Sequence, residues 1–125
     1  MRIFKTRRFQ KWATSENLSD KALKKAVNEM ENGLIDAELG GNVYKKRIGL
    51  QGRGKSGGVR TLLAFIIEER AFFIYGFSKN ERANIYTDEL KALKIYAKEL
   101  LEYSDKALEK AIEAKLVIEV NNDGE

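Results

Sequence analysis

The middle of the chain contains three consecutive strand-like segments, and this feature restricts the possible folds most. Residues 43–48, 58–67 and 71–77 are rich in β-branched, aliphatic or aromatic side chains. Their connections are too short for the crossover that parallel strands need, so an antiparallel β-meander is expected. The connection 50–57 carries three glycines and should be a mobile basic flap. Residues 34–41 are expected to be a connecting segment.

Helix signals lie on both sides of this meander. Thr6 and Ser19 precede two short amphipathic segments that would form an N-terminal helical hairpin. A longer helix is predicted from Thr87 and a shorter one after Ser104, with a short strand near each end of the chain. The predicted fold is a two-layer α+β domain in which the antiparallel meander packs on the helical hairpin.

The length suits a single domain. The chain has 125 residues, which we expect to form one unit with a core over about 1–101 and a C-terminal helical extension over about 102–125. Strand alternation places Phe73, Tyr75 and Phe77 on one side of the third segment, where they should pack in the core under the helices.

The composition excludes several kinds of chemistry. The sequence has no cysteine and no histidine, so it lacks thiol nucleophiles, disulfides, imidazole bases and the usual zinc ligands. The longest apolar stretch, residues 62–67, is far below the roughly 20 residues that cross a bilayer. The charged N-terminus of the chain lacks the apolar segment typical of a signal peptide. A cytoplasmic location without membrane contact is therefore expected.

The charge is unevenly distributed along the chain. Residues 1–25 have eight basic and two acidic side chains, and residues 43–60 have six basic and none acidic. Residues 98–125 have four basic and eight acidic side chains. A single charged run is usually a solvated face, but the run over 43–60 lies on strands and a glycine-rich loop. This pattern favours a polyanion-binding face.

Strand alternation predicts a cluster of cations on one face of the meander. Lys45 and Arg47 share one face of the first segment, and Arg60 in the next segment can lie beside them. The turn after the third segment would bring Arg82 and Tyr86 to the end of the same sheet. Guanidinium groups bind phosphate oxygens bidentately, so the cluster suits a phosphodiester.

Other motifs are weaker. Without histidine, proton transfer in a nuclease of this kind would need a lysine, a tyrosine or a carboxylate such as Glu81. Asp36 and Glu38 form only a D-x-E pair, so no metal site and no cofactor are expected. The run Gly-Arg-Gly-Lys-Ser lacks the spacing of a Walker A loop and leads into a strand, which excludes nucleotide hydrolysis.

Three stretches of the sequence resemble the RelE-like toxins of type II toxin–antitoxin systems, in the HigB-like branch of the RelE/ParE superfamily. They are LIDAELGG at 34–41, KSGGVRT at 55–61 and YGFSKNERANI at 75–85. The resemblance implies a RelE-like fold and a ribosome-dependent mRNA endoribonuclease, an mRNA interferase that needs no metal ion. It also implies a separate antitoxin protein as a partner, besides the ribosome and mRNA.

The resemblance also implies roles for individual residues. Arg60 and Arg82 would stabilise the phosphate, and Tyr86 would stack on a base or help activate the 2′-hydroxyl. Lys45 or Arg47 would assist proton transfer. RNA-binding roles are expected for four further cations: Lys46, Arg53, Lys55 and Lys79.

Two alternatives stay open at this point. The superfamily includes ParE-like poisons of DNA gyrase, which share the fold and need not cleave RNA. A small RNA-binding domain without catalysis would also account for the basic strands. The sequence leaves open the codon preference, the oligomeric state and the surface that an antitoxin covers.

Overall fold

The computed structural model describes residues 1–50 and 54–120, with the backbone alone for residues 54–57. Its elements follow the order predicted from the sequence, with one additional strand. They are β1 (Arg2–Thr6), α1 (Arg7–Ser15), α2 (Asp20–Glu31), β2 (Ala37–Gly40), β3 (Val43–Leu50), β4 (Gly54–Ile66), β5 (Arg70–Ser78), α3 (Thr87–Leu101), α4 (Asp105–Glu113) and β6 (Val117–Glu119).

The strands form one mixed sheet in the order β2-β3-β4-β5-β1-β6. β3, β4 and β5 are antiparallel neighbours, β1 lies parallel to β5, and β6 runs antiparallel to β1. The predicted α+β class is confirmed. None of the helices in the described part of the chain combines the length and the apolar character that a membrane span needs.

Hydroxyl caps explain where three helices begin. Thr6, Ser19 and Ser104 each accept a hydrogen bond from the backbone N–H three residues later, as the sequence predicted. The cap on α1 holds the helix directly against the end of β1, because Thr6 is both the last residue of that strand and the N-cap.

Two predicted connections contain strands. Residues 34–41 were expected to be a connecting segment, but Ala37–Gly40 forms β2 at the edge of the sheet and pairs with β3. The predicted flap over 50–57 is also partly wrong, because β4 begins at Gly54, which pairs with Leu50. Residues 51–53 lie outside the described part of the chain.

Helices cover both faces of the sheet. α1 and α2 pack on one face over a core that includes Phe9, Leu23 and Phe73. α3 and α4 pack on the other face over a second core, which includes Leu62 and Leu100. We call these the α1/α2 face and the α3/α4 face. In the second layer of helices, α3 belongs to the predicted core and α4 to the segment predicted as an extension.

A β-bulge in β5 changes which side chains share a face. Leu62 pairs with Tyr75 and Leu63 with Phe73, so Ile74 is an extra residue without a partner on β4. Phe73 packs on the α1/α2 face, whereas Tyr75 packs on the α3/α4 face. The prediction that Phe73, Tyr75 and Phe77 share one side is therefore wrong, since the bulge shifts the alternation by one residue.

Candidate functional site

A row of side chains crosses three strands on the α3/α4 face. Arg47 on β3 is directly opposite Arg60 on β4, which is opposite Phe77 on β5. Directly opposed residues have Cβ atoms roughly 5 Å apart, so the two arginines are immediate neighbours. Lys45 lies two residues before Arg47 on the same face and pairs with Leu62. The meander thus brings together the three cations that alternation predicted.

Asp36 fixes the position of Arg47. Its carboxylate accepts a hydrogen bond of 2.7 Å from the Arg47 backbone N–H, and it lies 3.5 Å from the Arg47 Nε. The Arg47 side chain is 48% exposed. Asp36 therefore orients this arginine near the start of β2 but leaves most of its guanidinium open to a ligand.

Arg60 occupies the centre of the row and lacks a protein partner at one nitrogen. The side chain is half-buried, and its Nη1 atom is inaccessible to solvent. Among the described residues that atom has no hydrogen-bond partner. A buried cationic donor without an acceptor is costly, so this nitrogen is well suited to an anionic ligand.

Arg82 reaches the same face from the turn after β5. Its Nη1 donates to the Tyr75 hydroxyl and to Glu89 Oε2, each at 3.1 Å, and its Nη2 donates to Glu89 Oε1 at 2.5 Å. The Nε donates to the Asn84 carbonyl at 2.9 Å. The guanidinium carbon also lies 4.1 Å from the centroid of the Tyr86 ring. Arg82 is thus held in a single position beside the β4–β5 end of the row.

Glu89 on the first turn of α3 connects these side chains. Besides its paired hydrogen bonds from Arg82, Oε1 accepts a hydrogen bond of 3.0 Å from the Tyr86 backbone N–H. Hydrogen bonds from Arg82 and Tyr86 lower the pKa of Glu89 to about 2, and the same pairing raises the pKa of Arg82. Glu89 therefore stays ionised and holds Arg82 together with Tyr86, whose side chain is exposed.

One predicted RNA-binding residue lies elsewhere. Lys46 points to the α1/α2 face and is buried, with its Nζ 2.9 Å from Glu29 on α2 and 3.0 Å from the Leu34 carbonyl. This arrangement does not fit the prediction that Lys46 binds RNA, because the amine is already paired inside the protein.

The other residues with predicted RNA-binding or proton-transfer roles differ in their surroundings. Lys79 is exposed in the turn after β5, next to the end of the sheet. Arg53 and the side chain of Lys55 lie outside the described part of the chain. Glu81, considered as a possible proton-transfer group, accepts hydrogen bonds from the Ser78 hydroxyl at 2.9 Å and the Ser78 backbone N–H at 3.2 Å. Glu81 thus stabilises the turn that carries Arg82.

Sequence reasoning missed three residues of this site: Asp36, Tyr75 and Glu89. For Glu89 a signal was present, because Glu in the third position of a helix commonly caps the preceding residue. Asp36 and Tyr75 carried no comparable signal, since one depends on the unpredicted β2 region and the other on the bulge. Together these residues support the cations without neutralising the centre of the row.

The arrangement can bind and polarise a phosphodiester. Arg47 and Arg60 offer guanidinium N–H groups on one face, Lys45 adds an amine, and Tyr86 exposes a ring for a base. Within residues 1–50 and 58–120 no group of three or more acidic side chains is placed to hold a metal ion.

The fold and this face define a small α+β protein with a cationic sheet surface beside an exposed tyrosine. The family model described as "RelE toxin of RelE / RelB toxin-antitoxin system" matches residues 1–120. The chain therefore belongs to this family of toxins, whose members are generally translation-linked endoribonucleases and pair with antitoxins. A comparison with curated protein sequences finds no match.

Proposed function

We propose that the chain is a ribosome-dependent mRNA endoribonuclease of the HigB-like branch and that it cleaves without a metal ion. The observation that carries this proposal is the Arg60 Nη1 atom, which is buried and has no acceptor among the described residues. Arg60 lies between Arg47 and Phe77 on the cationic face. A phosphate oxygen bound after a rotation of the guanidinium that exposes Nη1 would supply the missing acceptor.

The reaction follows from binding an RNA phosphate at Arg60. The ribose 2′-oxygen attacks the adjacent phosphorus, and the bond from phosphorus to the 5′-oxygen of the next nucleotide breaks. The products are a 2′,3′-cyclic phosphate and a 5′-hydroxyl, with one proton leaving the 2′-hydroxyl and one reaching the 5′-oxygen. Arg47 and Arg60 stabilise the extra negative charge on the pentacoordinate phosphate.

The hydrogen bonds of Arg82 give it a different role from that of Arg60. A guanidinium has five N–H groups, and four of those on Arg82 already have acceptors. Arg82 therefore contributes its charge and holds Tyr86, whereas Arg60 makes the closer phosphate contact. Tyr86 stacks on a base beside the cleaved bond or helps activate the 2′-hydroxyl, and Lys45 or Arg47 assists proton transfer.

The cellular setting follows from this reaction. The substrate is mRNA on the ribosome, so we place the protein in the cytoplasm. Its antitoxin is a separate protein that blocks the toxin until it is removed. Of the other cations predicted to bind RNA, the exposed Lys79 would contact the RNA backbone beyond Arg82.

The test is primer-extension mapping of a defined mRNA incubated with the purified chain and programmed ribosomes. The same mRNA without ribosomes is the first control. We expect cleavage only with ribosomes, and Arg60→Ala should slow it about 100-fold because it removes a donor to the transition state. Lys25→Ala, which removes an exposed positive charge from α2, should leave the rate unchanged.

Each negative result has a different meaning. A folded chain that is toxic in cells but cuts neither RNA sample would overturn the nuclease proposal in favour of a gyrase-type poison. A folded chain that neither cuts RNA nor arrests growth would be better explained as a non-catalytic RNA-binding domain.

A further inference from the structure

A second feature of the α3/α4 face is a groove between the N-terminus of α1 and one side of α3. It has a volume of about 450 Å³, within the range of small-molecule sites. Its lining includes Tyr75, Leu93, Tyr96, Tyr103 and two arginines from the first turn of α1. A smaller cavity of about 220 Å³, lined by Trp12, adjoins it and shares Tyr75.

The groove begins at the candidate site. The Tyr75 ring lines it, while the Tyr75 hydroxyl accepts the hydrogen bond from Arg82. Glu89, Leu93 and Tyr96 lie on one side of α3 at spacings of four and three residues, so the groove follows that side away from Arg82. The distance from residue 89 to residue 96 along the helix is roughly 10 Å.

The charges at the groove favour an anion. Arg7 and Arg8 are exposed, and neither forms an ion pair within the described part of the chain. No acidic residue lines the larger cavity. Three acidic residues in the described part of the chain lie around it. Glu81 lines the adjoining smaller cavity and accepts hydrogen bonds from Ser78, Glu89 is paired with Arg82, and Glu99 acts on Tyr96 electrostatically.

The aromatic lining favours a base. Tyr75, Tyr96 and Tyr103 supply three phenol rings around one space, and every nucleobase has a flat face that stacks on such rings. In the described chain the hydroxyls of Tyr96 and Tyr103 make no hydrogen bond, so both are available to a base edge or a ribose. An apolar peptide would leave the two hydroxyls and the two arginines without partners.

We propose that this groove is a nucleotide subsite that binds a base and its phosphate on one side of the cleaved bond. This proposal rests on the proposed nuclease function and deepens it. The tyrosines hold the base, and Arg7 and Arg8 hold the phosphate. An RNA strand bound at Arg60 would thus be held at a second point beyond Arg82.

The test is titration of the full chain with adenosine monophosphate. Binding is measured by calorimetry and by the fluorescence of Trp12, the single tryptophan. We expect saturable binding with quenched fluorescence. Tyr96→Ala should weaken it about tenfold because a stacking partner is lost. Ile95 is exposed and directly precedes Tyr96 on α3, so Ile95→Ala is the matched control and should leave binding unchanged.

The arginines are tested separately. The double substitution Arg7→Ala and Arg8→Ala should weaken the monophosphate about tenfold but leave adenosine binding nearly unchanged. Lys25→Ala is the control for loss of positive charge. In the ribosome assay, Tyr96→Ala should raise KM for programmed ribosomes with little change in kcat, because the subsite binds substrate away from the reacting bond.

The outcomes separate this proposal from the nuclease proposal. No saturable binding by the wild-type chain, or binding that Tyr96→Ala leaves unchanged, would overturn the subsite even if the RNA is cut. Binding with the expected dependence on Tyr96 and the arginines, by a chain that cuts no RNA, would support the subsite and overturn the nuclease. Binding that survives Arg60→Ala while cleavage is lost would support both.

Discussion

Two adjacent lysines on β3 have opposite environments. Lys45 lies on the α3/α4 face beside Arg47, and Lys46 is buried on the α1/α2 face against Glu29. Lys5 repeats this arrangement at the other end of α2, where its buried side chain pairs with Asp20. A pair of buried lysines therefore attaches α2 to the sheet at both ends, while Lys45, the neighbour of Lys46, lies on the opposite face of the sheet.

Removing Glu29 should destabilise the fold. The Glu29→Ala substitution leaves the buried Lys46 amine with the Leu34 carbonyl as its hydrogen-bond partner but without its counter-ion, and we expect a loss of about 3 kcal/mol in unfolding free energy. Urea denaturation measures it. Lys45→Met is the matched control and should change stability by less than about 0.5 kcal/mol while slowing cleavage. Equal losses from both variants would contradict the assignment of the two faces.

The Arg82–Glu89 pair should make the unfolding free energy depend on pH under acidic conditions. The pKa of Glu89 is lowered in the folded chain to about 2 from an ordinary value of 4.5, so its stabilising effect is complete above about pH 4.5. The effect is lost as the pH falls towards 2. The difference in unfolding free energy between the wild type and Glu89→Gln should therefore shrink over that range in pH-dependent denaturation. A difference that stays constant from pH 6 to about pH 2 would contradict the pairing.

Substitutions of Glu89 should also affect catalysis. Glu89→Ala should lower kcat on programmed ribosomes about tenfold or more, because Arg82 and Tyr86 lose the group that positions them. Glu89→Gln keeps part of the hydrogen bonding and should fall between the wild type and Glu89→Ala. Because no group of this pair titrates near neutral pH, neither variant should move the pH profile between pH 6 and 8. An altered profile there would assign Glu89 a direct role in proton transfer.

At the scale of elements, the bulge in β5 decides which parts of the chain reach the site. It places Tyr75 and Phe77 on the α3/α4 face with Arg60, and it leaves Gly76 facing α1. The Trp12 ring lies directly over Gly76, so that a Cβ atom added there would be 2.2 Å from the ring. α1 can approach β5 closely only because this position has no side chain.

The Gly76→Ala substitution tests this contact. The new methyl group cannot fit without moving Trp12, and we expect a loss of roughly 1–3 kcal/mol in unfolding free energy. Thermal or urea denaturation measures the loss. In the Trp12→Leu background the additional cost of Gly76→Ala should be much smaller, because the smaller side chain leaves room. Additive losses would show that the two residues act independently.

At the scale of the whole molecule, both ends of the described chain meet in the sheet. β6 pairs with β1, and the Arg2 guanidinium donates to both carboxylate oxygens of Glu119 at 2.9 Å. Leu108 and Val117 are buried in the core of the α3/α4 face. The family match also extends to residue 120. The segment after Leu101 is therefore packed against the same sheet that carries the cations.

Truncation after Leu101 should prevent stable folding. Burying one Leu or Val side chain contributes about 1.5–3 kcal/mol, and the lost segment buries Leu108, Val117 and Val120. The expected loss approaches the whole stability of a small domain. Circular dichroism during thermal unfolding should show no cooperative transition for residues 1–101. A cooperative transition near that of the full chain would support the prediction of an independent core over 1–101.

The local sequence determined most of the secondary structure. Thr6, Ser19 and Ser104 cap helices because a hydroxyl one residue before a helix satisfies a free backbone N–H, which is a local effect. The meander was predicted for a similar reason, because short connections leave antiparallel pairing as the available geometry. Alternation then correctly placed Lys45, Arg47 and Arg60 on one face, since β3 pairs with β4 in a regular register from Val43 to Ile48.

Tertiary structure alone decided the rest. The bulge at Ile74 depends on how β4 and β5 align, so alternation could not reveal that Tyr75 and Phe77 share a face with Arg60. The burial of Lys46 depends on α2 placing Glu29 above it, although the chain separates the two by many residues. Glu89 reaches Arg82 because α3 packs across the sheet. Contacts between segments far apart in sequence are set by packing, and no local pattern encodes them.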